Sequence, residues 1–242
     1  SFNVLPQSKT PFGFSYARSD SRVSSDLYTI TGTDEISLDD NVVSDSVTIT
    51  QGLIGKSYTV QAKYTKEDNS STLRGNYGSE LFLINGLHRS SAGVLRASVR
   101  QRDEVTYNDI ERSSLSTNIN HGYTGFKQFT INTVVNSNLV DQVSNSNGVD
   151  DALKYRMELT QATSSVIWRS LDKKTSITGS LRFFDVKTKL NEVNSNDSST
   201  YSGSLSFIHR YSDNLNFNGS STRSVSVFQE DDSAVARDQL GV

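Results

Sequence analysis

The sequence predicts an all-β chain, an antiparallel up-and-down meander of about 11 or 12 strands, and three observations support this. Apolar and polar residues alternate with a period of two along most of the chain. The alternating segments run for roughly 9–15 residues, whereas the common soluble strand has about 5–6. No segment keeps a helical period over about 11 residues, so we expect strands throughout.

Each predicted strand rests on its own alternation. The clearest is 201–211, where Tyr201, Leu205 and Phe207 alternate with serines, so that one face is apolar and the other polar. In the remaining segments the alternating residues, in chain order, lie within 12–17, 47–50, 58–64, 73–81, 95–100, 115–119, 129–136, 153–159, 177–183 and 215–219.

The predicted connections fall into two alternating sets. The short or medium set comprises 55–56, 88–92, 122–125, 172–174 and 212–214. The longer, acidic set comprises 21–41, 67–70, 103–111, 141–151, 191–199 and 230–238. Transmembrane β-barrels have this asymmetry, with short turns at one end and longer loops at the other.

The composition excludes several classes of protein. There is no cysteine, so there is no disulfide framework and no thiolate site. No apolar run reaches the length of a transmembrane helix, and Ser1 opens no leader sequence, so we expect no signal peptide in these residues. The formal charge of −3 argues against a nucleic-acid partner.

The apolar faces of the predicted strands fit contact with lipid better than packing against a second sheet. A tilted strand needs about 9–11 residues to cross a bilayer, which matches the segment lengths. The opposite faces are rich in Ser, Thr, Asn and Arg, as in a barrel interior. Tyrosines near segment ends would form an aromatic girdle: Tyr16, Tyr64, Tyr123, Tyr155 and Tyr211. We therefore predict an antiparallel transmembrane β-barrel.

Three stretches carry a family resemblance. Residues 199–224, with the short turn YSDNL between Ser-rich strands, resemble strand–turn–strand units of Gram-negative outer-membrane β-barrels. Residues 161–184 and 227–242 are similar. The pattern is most like the β-barrel porins associated with exosortase and exopolysaccharide export. This resemblance implies a bacterial outer-membrane location, with outer-membrane lipid and lipopolysaccharide as surroundings.

We expect residues 1–242 to form a single outer-membrane β-barrel domain, because no composition break suggests a linker. Barrels of the family usually end in a strand with a terminal aromatic residue. Here the sequence stops at Gly241-Val242, just after a strand begins. We therefore expect these residues to belong to a larger barrel that is incomplete at the C-terminal side.

Basic residues concentrate on the polar faces of the predicted strands. The candidates for the lumen are Lys63, Arg74, Arg96, Arg100, Lys154, Arg156, Arg182 and Arg210. Only Glu80 and Glu158 oppose them there. A ring of Arg or Lys in a pore favours anions. The alternative is that these residues pair with the two glutamates and backbone carbonyls inside a closed, filled barrel.

No catalytic, metal or cofactor site is expected. His88, His121 and His209 are scattered without ligand spacing, and no Ser–His–Asp set can be assembled, so we expect no enzyme. The acidic loops could hold divalent cations that bridge to lipopolysaccharide, although such runs are more often simply solvated.

The functional hypothesis is a pore or export conduit for an anionic or polar solute, such as a polysaccharide. Two alternatives remain open. One is a non-conducting barrel that acts as a scaffold with other envelope proteins. The other is a secreted β-rich adhesin or fibre.

Overall fold

The structure, a computed structural model, describes residues 1–4, 7–28, 35–73, 75–106, 110–144, 152–212, 215–228 and 233–241. These residues form thirteen strands and no helix. In chain order the strands are β1 (Phe2–Val4), β2 (Phe12–Tyr28), β3 (Glu35–Ile54), β4 (Tyr58–Ser71), β5 (Gly75–Ser90), β6 (Gly93–Val105), β7 (Ile110–Phe126), β8 (Phe129–Ser144), β9 (Leu153–Arg169), β10 (Thr175–Leu190), β11 (Val193–Ser212), β12 (Leu215–Phe228) and β13 (Ser233–Gly241). The part of the chain that the structure describes has no helix long and apolar enough to cross a membrane.

All thirteen strands form one antiparallel sheet in which each strand pairs only with its neighbours in sequence. Every described connection is therefore a hairpin. Within the described residues, β1 and β13 are the two edges of the sheet. The predicted up-and-down meander is confirmed: the eleven segments counted in the sequence fall on β2 to β12, and the structure adds β13 and the three-residue β1.

The strands are longer than the alternation indicated. From β2 to β12 they run for 13 to 20 residues. Most residues assigned to acidic loops lie within them: Glu67 and Asp68 belong to β4, and Asp103 belongs to β6. The hydrogen bonds between strands are made by the main chain and form whether the side chains are polar or apolar. The polar ends of two strands can therefore stay paired up to the turn that joins them.

Two predicted connections are also wrong in position. The segment 122–125 is not a turn, because β7 continues through a register shift to Phe126 and the turn is at Lys127 and Gln128. The segment 191–199 is a two-residue turn at Asn191 and Glu192, followed directly by β11. Both turn residues have positive φ, at 49° and 69°, which is the backbone of a type I′ hairpin turn.

The cross-strand register separates the sheet into two faces. We call one the band face: Phe14, Ile49, Tyr64 and Phe82 form one row of it on β2 to β5, and the pair Ile84 and Val99 lies on the same face of β5 and β6. The opposite surface is the polar face, and it carries the alternate residues.

The sheet has no second layer among the described residues. Val140 is the one buried hydrophobic residue there, with 5% of its surface exposed. Large apolar side chains on the band face stay open, including Leu181 at 70% and Leu205 at 57%. A soluble sheet of this size would have to cover such a surface, so the band face is built for an apolar environment.

Candidate pore-lining face

The polar face is held together by side-chain hydroxyl groups that meet across the strands. Thr48 and Thr65 share a hydrogen bond of 3.2 Å, and Thr65 has only 9% of its surface exposed. Ser180 and Ser204 share a bond of 2.6 Å between β10 and β11. Each such bond uses one donor or acceptor position of the two hydroxyl groups. The remaining positions are free to bind water or a solute.

An amide-rich row crosses the same face. In register across β5 to β9 lie Asn85, Ser98, Asn118, Asn136 and Gln161. The Asn118 side-chain amide donates a hydrogen bond to the Asn136 carbonyl oxygen. Amides and hydroxyls together offer both donors and acceptors, so this row can replace parts of the hydration shell of a polar solute.

Five of the eight basic candidates share the polar face: Lys63, Arg96, Arg100, Arg182 and Arg210. Lys63 and Arg100 lie in one cross-strand row, separated by Leu83. Arg96 and Arg182 lie in another row. Within the described ranges none of the five has a carboxylate oxygen within 4.0 Å, so the ion pairs with Glu80 and Glu158 that the alternative expected do not form.

Lys154 and Arg156 are on the other surface, which corrects their assignment. Arg156 is opposite Asp141 on β8, in the same set of positions as Val166 and Trp168 on the band face. The alternation of β9 was misassigned because the apolar residues Leu153, Tyr155, Met157 and Leu159 occupy its polar-face positions. Arg74 lies outside the described residues.

On β5, too, the alternation assigned residues to the wrong face of the sheet. Glu80 belongs to the band face, opposite Lys66, and Leu81 belongs to the polar face. Glu158 is likewise on the band face, opposite Leu139. The two glutamates that were expected to oppose the lumen cations are therefore on the other side of the sheet.

Sequence reasoning missed other cations on the polar face, namely Arg89, Arg102, Arg112 and Arg169. Two of them are paired: Arg102 Nε lies 3.1 Å from Glu104 and Arg112 Nη1 lies 3.7 Å from the same carboxylate. Extending the alternation of 95–100 into 101–105 would have identified Arg102. That signal was lost because the region had been assigned to a loop.

Aromatic residues mark both margins of the apolar band. At the margin near the short turns, Tyr123, Phe126 and Phe129 form a chain of ring contacts with centroids 5.6 Å and 6.4 Å apart. At the opposite margin the rings of Phe183 and Tyr201 are 5.1 Å apart. The expected girdle tyrosines Tyr16, Tyr64 and Tyr123 are on the band face, whereas Tyr155 is on the polar face.

The height of the band fits a bilayer. On β8 the band face extends from Phe129 to Leu139. At about 3.3 Å per residue and a tilt of about 40°, such a strand rises about 25 Å, the height of the apolar belt of outer-membrane barrels.

A charged belt follows on the band face beyond the Tyr16 and Tyr64 margin. Lys66 Nζ lies 3.2 Å from Glu80, and Arg156 Nη2 lies 2.8 Å from Glu158. A groove of about 950 Å³ opens within this belt and is lined by acids including Asp45, Asp68 and Asp103. The described residues contain no group of three or more His, Asp or Glu residues that could hold a metal ion.

Comparison with known proteins gives the fold. No protein-family model matches the chain, and no curated protein matches its sequence. The copper transporter OprC is similar in structure, with a TM-score of 0.52 and 11% identity, over 90% of this chain and 40% of that one. This chain thus spans about two fifths of the length of OprC.

Two further structures align at TM-scores below 0.5. The COG4313 outer membrane channel from Pseudomonas putida F1 gives 0.31 at 10% identity, over 98% of this chain and 94% of that one. The beta domain of the Bordetella autotransporter BrkA gives 0.28 at 10% identity, over 84% and 88%. The fold that the meander and the OprC alignment define is the antiparallel wall of an outer-membrane β-barrel.

Proposed function

We propose that the chain forms part of the wall of an outer-membrane β-barrel that serves as a pore or conduit for an anionic or polar solute. The observation that carries this proposal is the division of one sheet into two unlike faces. One is an open apolar band, and the other is a hydroxyl-rich surface on which cations such as Arg96 and Arg100 have no ion-pair partner among the described residues. Lipid would cover the first and water the second. Bacterial outer-membrane lipid and lipopolysaccharide are then the surroundings, with the charged belt at headgroup level.

The solute class follows from the charges on the polar face. Lys63, Arg96, Arg100 and Arg182 have no ion-pair partner among the described residues, so their field acts on whatever occupies the pore. A polysaccharide with acidic groups fits both the cations and the amide and hydroxyl rows. The barrel domain would be larger than the described strands, because lipid does not tolerate the unpaired edges at β1 and β13.

The direct experiment measures conductance in planar bilayers with a salt gradient across the membrane. The double variant Arg96→Gln, Arg100→Gln should shift the reversal potential towards lower anion preference. The matched control is Lys154→Gln, Arg156→Gln, which removes the same charge from the opposite face and should leave the reversal potential unchanged. An insulating protein, or an equal shift in both variants, would contradict the proposal.

A second candidate is the non-conducting scaffold, and one observation favours it. The polar face of β8 to β10 carries an apolar patch in which Val140 is opposite Met157 and Leu159 is opposite Val186. Val140 is 5% exposed, which indicates a covered rather than a wetted wall at this point. Stable co-purifying envelope proteins together with absent conductance would support this candidate.

A further inference from the structure

The end of the sheet that carries the short turns is strongly basic. Every described hairpin at this end has at least one cation in its turn or at the adjoining strand terminus. We call this set the basic rim; it consists of Lys9, Lys56, Arg89, Lys127, Arg169, Lys173, Lys174 and Arg210. All eight side chains are exposed.

Carboxylates are nearly absent from the same half of the sheet. Across 50–62, 84–100, 117–136, 161–182 and 203–212, the only Asp or Glu is Asp172, and the sequence adds Asp213, which lies outside the described residues. Its carboxylate is engaged within its own turn, where it accepts hydrogen bonds from the Ser170 hydroxyl at 2.5 Å and the Lys174 amide at 3.1 Å. Among the described residues, no rim cation has an ion-pair partner within 4.0 Å, in contrast to the charged belt at the other end.

The register shows which side of the wall the rim arginines belong to. Arg89 is opposite Val94, Arg169 is opposite Ser176 and Arg210 is opposite Asn216, and all three pairs are on the polar face. The neighbouring band-face positions hold His88, Trp168 and His209 instead. These three guanidinium groups therefore lie on the polar face, the pore side of the proposed wall, and the band face at this end is aromatic and imidazole-rich. This placement favours a dissolved anion over lipid headgroups as the partner.

The spacing favours a partner with several charges. Neighbouring strands are about 4.8 Å apart, so the cross-strand distance alone separates Arg169 and Arg210 by about 10 Å and Arg89 and Arg169 by about 19 Å, and the register adds an offset along the strands. One small anion cannot bridge such separations, but a chain with repeated anionic groups can.

We propose that the basic rim is the docking surface by which a polyanion engages the short-turn mouth of the pore. This deepens the proposed function and rests on it for the direction of passage. The field is asymmetric, because the polar-face cations Arg102 and Arg112 at the opposite end share the Glu104 carboxylate, whereas the rim cations have no ion-pair partner among the described residues. A polyanion would therefore be captured at one mouth only.

A binding experiment isolates the docking step. The probe is fluorescein-labelled dextran sulfate, added to the detergent-solubilised protein, with uncharged dextran of equal length as the probe control. The triple variant Arg89→Gln, Arg169→Gln, Arg210→Gln should lower the affinity by about tenfold at low salt, and added salt should weaken the wild-type complex. The matched variant Lys154→Gln, Arg156→Gln, Lys187→Gln removes three cations from the band face and should bind like the wild type.

Three results would overturn the rim proposal. The first is an unchanged affinity in the rim variant, and the second is an equal loss in both variants. The third is a rim variant that keeps its affinity for dextran sulfate but no longer retains phosphatidylglycerol, which would assign the rim to lipid headgroups.

Adding the polyanion to one side of the membrane at a time tests the rim proposal and the pore proposal separately. The chain has no cysteine, so Ser91→Cys places a single biotin label in the β5–β6 turn, and streptavidin reports which chamber the short turns face. Dextran sulfate should block the current from that chamber at a lower concentration than from the other. Equal block from both sides overturns the rim proposal and leaves the pore; binding through the rim without conductance overturns the pore and leaves the rim.

Discussion

Arg156 directs its guanidinium at Glu158, two residues further along β9, with Nη2 2.8 Å and Nε 3.0 Å from the same Oε1 atom. Asp141 on β8 is 3.7 Å from Nε. These three residues lie on the band face, in the charged belt beyond the apolar band. The geometry makes Arg156 a structural cation of the charged belt and removes it from the set that could select ions.

Arg156→Gln should therefore change stability slightly and selectivity not at all. The pair is about half exposed, and exposed ion pairs contribute about 0–1 kcal/mol. Urea unfolding of the detergent-solubilised protein measures the loss, with Arg96→Gln, which breaks no ion pair, as the control. A loss well above 1 kcal/mol would contradict the half-exposed position of this ion pair.

Adjacent positions on β11 test which face contacts lipid. Leu205 is on the band face and 57% exposed, and Ser206 is on the polar face. Leu205→Arg should destabilise the protein in a bilayer by about 2–4 kcal/mol, because the charge would enter hydrocarbon. Ser206→Arg should cost far less. Chemical unfolding in lipid vesicles measures both, and a reversed order would show that the faces are the other way round.

The β10–β11 turn offers a stabilising substitution. Glu192 has φ of 69°, a left-handed backbone that costs a residue with a Cβ about 1–2 kcal/mol. Glu192→Gly creates Asn-Gly, the sequence that a type I′ turn prefers, and should raise the free energy of unfolding by about 1 kcal/mol. Glu192→Gln is the control: it removes the 4.0 Å contact with Lys154 but keeps the strain, so its stability should stay near that of the wild type.

The β9–β10 turn should respond to acid. Hydrogen bonds from the Ser170 hydroxyl and the Lys174 amide hold the pKa of Asp172 below its ordinary value of 3.8. The folded turn thus favours the ionised form, so its contribution to stability is present above pH 3.8 and is lost as the pH falls through the lowered pKa. Trp168, the only tryptophan, lies at the end of β9 and reports on this turn by fluorescence.

Asp172→Asn provides the comparison for that titration. The amide cannot ionise, so the fluorescence change below pH 3.8 should disappear from the variant. If the variant titrates like the wild type, another group is responsible and the turn is not acid-sensitive through Asp172.

The period-two alternation predicted the meander and most of the band correctly, since segments such as 58–64 and 177–183 place their large apolar residues on one face. It failed on β5 and β9, where Leu81, Met157 and Leu159 are apolar residues of the polar face. Alternation shows that a strand has two faces, but it cannot show which face meets lipid when both carry apolar residues. For such strands, only the pairing with neighbouring strands decides which alternate residues lie on which face, and this pairing depends on residues far away in the sequence.

The candidate site was predicted in part for the same reason. Lys63, Arg96, Arg100, Arg182 and Arg210 lie on strands with clear alternation and share the polar face. Lys154 and Arg156 lie on the strand with the misleading pattern. The basic rim went unnoticed because its members are divided among turns and strand ends, and no local window of sequence contains more than a few of them.

Each strand pairs only with its neighbours in sequence, so strands can be added to or removed from this sheet one hairpin at a time. Inserting one hairpin would add about 10 Å to the circumference and alter no existing pair beyond the point of insertion. Each added hairpin would also bring another short turn to the same mouth. In the proposed pore, width and the number of rim cations are therefore linked, so a duplicated hairpin would widen the passage and enlarge the proposed anion-binding surface together.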